Sequence, residues 1–335
     1  MAIAHNAAGF QPQIGGASTN TGFNKYNDTG AAGARGFIPE FWSGKFVEAF
    51  YNQTVFGEIA NTNYQGEISG MGHKVIIQLT PSVTISNYTI GTNLSYERPP
   101  AQTVELTIDR AKSFAYQVHD IEQLQAKPAY VKEFADAAAE QMKVAIDADV
   151  LQSVYADPAA ANVGNAAGVR SGSIALGTTA PTVDGDSLSV RAGGVDPYEV
   201  LSRLAVVLDE QNCPESDRWV VVPPLFRLAM QTSGKQANMI QGGDQSLLRN
   251  SKIGTVDRFN IYLSNQLKTT TAATKQVTHL MAGHKSALTF ASQMTKMETL
   301  RNPNDFGDVM RGLNVYGFKT INPKVMTAAS VRFVA

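Results

Sequence analysis

Charge is scarce in this sequence. Asp, Glu, Lys and Arg make up 17% of its 335 residues, against about 25% in ordinary soluble domains. The 28 basic and 29 acidic residues nearly cancel, leaving a net charge of −1. That balance argues against a strongly basic nucleic-acid binder. Because charged residues are depleted at interface cores, the shortage points to surface that is covered by other chains. Cysteine is down to Cys213, which excludes a disulfide framework and a Cys-rich metal site. Its apolar and acidic neighbours give no reason to expect a reactive thiolate. Nowhere does an apolar run approach the roughly 18 residues of a membrane span, and none of the partners expected is a membrane. The opening MAIAHNAAGF lacks the basic and apolar regions of a signal peptide, so the chain is expected to be made and kept in a cytoplasm. A phosphate loop, HExxH, GxSxG, CxxC and a dinucleotide-binding glycine motif are all missing. The five histidines are scattered. His119-Asp120 and His279 with His284 come nearest to a site, but Gly283 and a spacing of five do not suit a helical metal pair. No catalytic, cofactor-binding or metal-binding residue is assigned, no cofactor is expected, and the reading is that of a protein without enzyme activity.

What the sequence does have begins with one long helix. From Pro128 to Tyr155, Val131, Phe134, Ala138, Met142, Ala145 and Val150 draw an apolar stripe, and Asp136, Glu140, Lys143 and Asp147 follow the same rhythm opposite. Pro128 suits a first helical position, and Asp157-Pro158 ends the run. Twenty-odd residues at about 1.5 Å each predict a rod of roughly 40 Å. Asp147 and Asp149 face different directions, and Asp149, on the apolar side, is expected to meet a partner there.

Before that helix, residues 1–37 are rich in Gly, Ala, Asn and Thr. They are too poor in clustered apolar residues to fold alone. They read as an arm that orders against a neighbouring subunit, with Phe10 and Phe23 as its candidate contacts. A helix is expected over residues 38–62, where Trp42, Phe46 and Phe50 recur at i, i+4, i+8. From Tyr64 to Val118 the period becomes two: Val75, Ile77, Leu79, then Val104, Leu106, Ile108, then Phe114, Tyr116, Val118. Residues 63–118 therefore read as an extended β-hairpin. Its connecting segment, Asn87 to Pro100, is longer than a compact domain ordinarily uses. Tyr88, Ile90, Leu94 and Tyr96 lie too far along the strands to reach their own core, and are assigned to an interface with a neighbouring subunit.

After the long helix, residues 159–195 form a Gly/Ala/Ser/Thr-rich insertion with little core of its own. Asp196-Pro197-Tyr198-Glu199 then opens a helix in capping-box style, with Val200, Leu201, Leu204, Val207 and Leu208 as its buried face. Trp219–Val222 reads as a fully buried strand, Pro223-Pro224 starts a short helix, and residues 255–263, 277–282 and 309–334 read as further strands. The fold class is α+β, with a compact α/β unit set within a β-rich one.

Several stretches carry a resemblance. Leu208–Pro224, LDEQNCPESDRWVVVPP, is similar to a segment of the tailed-bacteriophage major capsid proteins, with Cys213 where the family usually has Val. Gly254–Asn265, GTVDRFNIYLSN, resembles a strand of the same family, with Arg258 in place of its usual Gly. Asn63–Ile68 followed by Gly72–Val75 resembles the family's entry to its long hairpin. Ala282–Ala287, and Phe306–Asp308 with Arg311–Gly317, complete the set in the family's order. The likeness is podophage-like and runs from about Ile38 to the C-terminus.

The resemblance implies names for the parts: an N-terminal arm (1–37), an N-terminal helix (38–62), an extended E-loop (63–118), the spine helix of a peripheral domain (119–158), an insertion (159–195), an axial domain (196–288), and returning strands of the peripheral domain (289–335). It implies a coat protein that self-assembles as pentamers and hexamers into an icosahedral shell around double-stranded DNA. The implied partners are further copies of itself, a scaffolding protein, a portal protein and in some cases a cement protein, with weak, sequence-independent contact to the packaged DNA. The implied location is the virion capsid, assembled in the bacterial host's cytoplasm and later matured. A nanocompartment shell enclosing an enzyme cargo shares the fold and is the alternative; an unrecognised enzyme is a more distant one.

Overall fold

Every position of Arg218–Val222 is buried, and the rest of the chain is built outward from that strand. The computed structural model describes residues 54–63, 74–81, 83–87, 89–91, 93, 96–99, 102–119, 129–190, 194–233, 255–272 and 275–333. In chain order its elements are α1 (Phe56–Ile59), β1 (Lys74–Leu79), β2 (Gln102–Thr107), β3 (Arg110–His119), α2 (Ala129–Val154), β4 (Leu188–Val190), α3 (Pro197–Glu210), β5 (Arg218–Val222), α4 (Pro224–Thr232), β6 (Thr255–Val256), β7 (Phe259–Leu263), β8 (Thr269–Ala272), β9 (Lys275–His284), β10 (Leu288–Arg301), β11 (Gly307–Thr320) and β12 (Met326–Phe333). The expected arm (1–37), with Phe10 and Phe23, lies outside the described residues, as does most of the helix expected over 38–62.

Three sheets result. The largest runs β4-β12-β9-β5-β7-β6, with β8 added on β9. It is mixed: β12 with β4 and β5 with β7 are parallel, and the other pairs antiparallel. The second sheet is β10-β11-β3, antiparallel throughout. The third is the β1-β2 ladder alone. The α+β class read from the sequence is what is found.

Helix α3 forms as its sequence predicts. Asp196 accepts a hydrogen bond from the Tyr198 N–H at 2.9 Å, Pro197 occupies the first turn, and Val200, Leu201, Leu204, Val207 and Leu208 are all buried. Glu199 turns forward to pair with Arg203 at 2.7 Å. The turn between β6 and β7 places both Asp257 (φ 49°) and Arg258 (φ 68°) in the left-handed region, as a two-residue hairpin requires. Glycine would adopt that shape without cost. Arg258 is instead tied down through its guanidinium, to Asp209 at 2.8 Å and Glu215 at 2.7 Å. The other oxygen of Asp209 meets the buried Arg218 at 2.7 Å.

Three expectations need correction. Helix α2 has its full length, but its buried face is Ile146, Asp147, Val150, Leu151 and Val154. Ala145 is exposed and Phe134 is 46% exposed. The stripe fails because the C-terminal half of the rod enters the main core, whereas in the N-terminal half Phe134 remains half exposed and meets the edge strand β3 through Tyr116, ring centroids 6.2 Å apart. The second correction is β12. Its apparent period of two suggests one wet face, yet all its residues from Met326 to Val331 are buried.

The third correction concerns residues 159–190, which are part of the main core through Ala167, Leu176, Leu188 and Val190. Asn162 is the hub. Its Nδ2 donates to the Lys324 and Met326 carbonyls, its Oδ1 accepts from Gln211, and its carbonyl accepts from Thr327. Small residues are needed here because backbones touch: a Cβ on Gly177 would stand 2.7 Å from the Ser330 carbonyl. Low hydrophobicity therefore reflects close packing in this segment.

Candidate assembly interface

The hairpin is rooted by apolar side chains on one face. β1 and β2 pair from Lys74 opposite Thr107 to Leu79 opposite Gln102. Ile77, Leu106 and Ile108 bury themselves against Ala291 and Ile321, with Val75, Leu79 and Val315 around them. Leu106 is 0% exposed. A two-stranded ribbon is marginal in water, and this second small core is what holds it. Lys74 and Glu105 add an ion pair at 2.6 Å on the outer face.

The predicted second arm, Val104 to Val118, divides in two. After β2 only Ile108 and Asp109 intervene before the chain enters another sheet, where Arg110–His119 pairs with Tyr316–Gly307 of β11. Alternation fixes which faces are apolar but not which strand is the partner. The hairpin crosses β11 at Gly317, where a Cβ would stand 2.1 Å from the Thr107 carbonyl oxygen. Only glycine permits that crossing.

At the same junction stands Arg110. Its Nη1 donates to Asp149 Oδ1 at 2.6 Å and to Ser153 Oγ at 3.4 Å, and its guanidinium lies 4.4 Å above the Phe318 ring. The Tyr316 hydroxyl donates to the second Asp149 oxygen at 2.7 Å. Burial works against ionisation of Asp149, yet the Tyr316 and Arg110 hydrogen bonds outweigh it and hold its carboxyl below the ordinary range. Burial and the Asp149 carboxylate push the Tyr316 phenol well up. The partner expected for Asp149 is thus Arg110 with Tyr316. Neither was foreseen, although Arg110 lies at the break between two alternating runs and Tyr316-Gly317 lies within a family-like stretch.

Beyond the root the described apolar residues are exposed. Ile90 and Tyr96 are each 94% exposed, Ile85 is 95% exposed, and Val83 is exposed as well. The segment folds back on itself through Thr84 N–H donating to Glu97 Oε2 at 3.1 Å, and turns at Gly91. Tyr88 and Leu94 lie outside the described residues. Val83 and Ile85 were not among the residues assigned from the sequence. Four exposed apolar side chains within so short a span make this segment the candidate interaction surface.

The candidate chemical groups are placed elsewhere. His119 Nδ1 lies 3.4 Å from Asp305, and Asp120 is outside the described residues. His279 is buried between Ser330 Oγ and Thr270 Oγ1, at 2.9 Å from each, with the Tyr155 ring 4.7 Å away. Burial, with Lys268 nearby, lowers its pKa to about 4. His284 contacts Ser286 at 2.8 Å, so the two histidines face separate partners. Cys213 is buried, and burial pushes its thiol up. Among the described residues no cluster of three His, Cys, Asp or Glu is placed to hold a metal, and no helix is long and apolar enough to cross a membrane.

No protein-family model matches the sequence, and no curated protein matches it. Solved structures do. A structure from Mycobacterium phage Che8 is similar at 27% identity and TM-score 0.68, covering 89% of this chain and 97% of that one. The capsid structure of the cyanophage P-SCSP1u is similar at 15% identity and TM-score 0.64, covering 95% and 99%. The asymmetric unit of the bacteriophage PhiM1 mature capsid is similar at 13% identity and TM-score 0.60, covering 94% and 99%. These similarities run nearly end to end in both partners. The chain therefore shares its fold with these phage capsid structures.

Proposed function

We propose that this protein is the subunit of an icosahedral shell, assembling as pentamers and hexamers around a double-stranded DNA genome in the bacterial host's cytoplasm. The observation that carries the reading is the hairpin. Its root is fixed by a buried core, a glycine crossing and the Arg110–Asp149–Tyr316 cluster, while its far part presents Val83, Ile85, Ile90 and Tyr96 to solvent. A rigid root under a bare apolar end suits a reach onto a second copy of the chain. Tyr88 and Leu94 belong to the same contact, and the N-terminal arm, with Phe10 and Phe23, to another.

A role in building a container also accounts for the small net charge, since a shell that gripped phosphates tightly would hinder genome release. Scaffolding, portal and cement proteins are the further partners this reading calls for. It assigns no catalytic residue. The parts named from the sequence serve it as arm, E-loop, spine, axial domain and peripheral strands.

Electron microscopy of the expressed protein tests the reading. Large icosahedral particles, or pentamers and hexamers that convert to them when scaffolding protein is supplied, are expected. Small cargo-filled shells would favour a nanocompartment. A stable monomer at all salt and protein concentrations would overturn the proposal.

A further inference from the structure

Asp149 and Asp147 sit two residues apart on α2, roughly 200° around the helix axis and roughly 3 Å along it. They hold different parts of the chain. Asp149 grips the root of the hairpin through Arg110, and receives the Tyr316 hydroxyl. Asp147 is fully buried, and its Oδ1 accepts the N–H groups of Val55 at 3.0 Å and Phe56 at 2.9 Å, 92 and 91 residues away in sequence. Burial pushes its carboxyl above the ordinary value, against the pull of those two N–H groups.

The segment that Asp147 holds is bound at its other end as well. Asn61 N–H donates to the Leu288 carbonyl at 2.8 Å, and Phe290 N–H donates to the Asn61 carbonyl at 3.0 Å. Between these ends Val55, Ile59 and Ala60 are buried, and the Phe56 ring lies 4.9 Å from that of Phe290. Residues 55–61 are therefore pinned to the body at both ends. The same strand pair, β10 and β11, carries Ala291, Val315, Tyr316 and Gly317, on which the hairpin root rests.

We propose that this single turn of α2 is a two-sided anchor, coupling the seating of residues 55–61 to the tilt of the hairpin. A carboxylate on each side of one rigid helical turn means that a shift of that turn moves both attachments. Neither can be re-aimed while the other stays as it was. An ion pair that served only local stability would leave the two attachments independent.

The test uses the full chain, unassembled in dilute solution, and amide hydrogen exchange. Arg110→Gln acts from the hairpin side, and Asp149→Asn removes the carboxylate on α2 that holds Arg110. Under the proposal they raise exchange about fivefold at 102–107, and to a similar degree at 55–60, which they do not touch. Asp147→Asn raises exchange at 55–60 and also at 102–107. Change confined to the segment that each substituted residue touches overturns the coupling. So does acceleration spread through β5 and α3, which reports general destabilisation. Asp147 is wholly buried and its variant is the one at risk of misfolding. Arg110, whose side chain is partly exposed, carries the test on its own if that happens. Particle formation is not a readout here, so failure of the coupling leaves the proposed shell function standing.

Discussion

The root of the hairpin alternates apolar and polar residues, its far end carries apolar residues at uneven spacing, and the two come to rest in opposite surroundings. At the root, Ile77, Leu106 and Ile108 find Ala291 and Ile321 beneath them. Farther out, Ile85, Ile90 and Tyr96 find nothing. Periodicity states which side chains share a face, and geometry decides whether that face is covered by its own chain. The root has paired strands, an ion pair and a glycine crossing to fix its direction, whereas the outer segment has one described tie across it, from Thr84 to Glu97. Under the proposed function the difference separates folding from assembly: one end would hold the subunit together, the other would join it to the next.

The largest effect expected from breaking this contrast is at the outer end. Ile90→Asp together with Tyr96→Asp should abolish particle formation and leave the subunit's melting temperature unchanged. Burying such side chains contributes about 1.5–3 kcal/mol each, whereas an unpaired charge at an interface opposes association. Sedimentation and thermal melting of the same sample check it.

At the root the expectation is reversed. Leu106→Ala should cost the subunit about 2–5 kcal/mol in chemical unfolding, before any effect on assembly is considered. Gly317→Ala comes next, at about 1–3 kcal/mol, because the added methyl meets the Thr107 carbonyl where the hairpin crosses.

Acid separates the two ends further. The Asp149 carboxyl is held below its ordinary value of 3.8 in the folded chain. Its contribution is therefore present above that value and is lost as pH falls through the lower folded one. Stability of the wild type should drop over that strongly acid range, and Asp149→Asn, already weaker at neutral pH, should show a flatter profile. Substitutions at Ile90 and Tyr96 should leave the wild-type profile intact below pH 4, even though the introduced Asp residues titrate there, because exposed carboxyls have the same pKa in folded and unfolded chains. The smallest effect is at Lys74. Its pair with Glu105 is partly exposed, and Lys74→Ala should cost under about 1 kcal/mol.

Much of this architecture was legible in the residues. The Asp196 cap and apolar face of α3, the buried run of β5 and the length of α2 follow from local rules that tertiary packing did not override. The family likeness rested on short stretches such as Leu208–Pro224 and was matched by the whole-chain similarity to phage capsid structures. Of the residues assigned to an interface from the sequence, Ile90 and Tyr96 are exposed, and their contact with a second subunit is the proposal to be tested.

What escaped depends on contacts between residues far apart in sequence. Asp147 lies on the helix face that looks polar, and only Val55 and Phe56 arriving from 90 residues away give it a reason to be buried. The departure of β3 from the hairpin is decided by β11, some 200 residues later. Residues 159–190 look too small-sided for a core, and their packing through Asn162 and Gly177 depends on β12 and the turn before it.

The central claim, that the outer hairpin segment is built to be covered by another subunit, is tested most directly by amide hydrogen exchange of residues 83–99 in free subunits and in assembled particles. The account predicts fast exchange in the free chain and strong protection in particles, with the root amides of 74–79 and 102–107 protected in both states. Equal exchange of 83–99 in both states would contradict it.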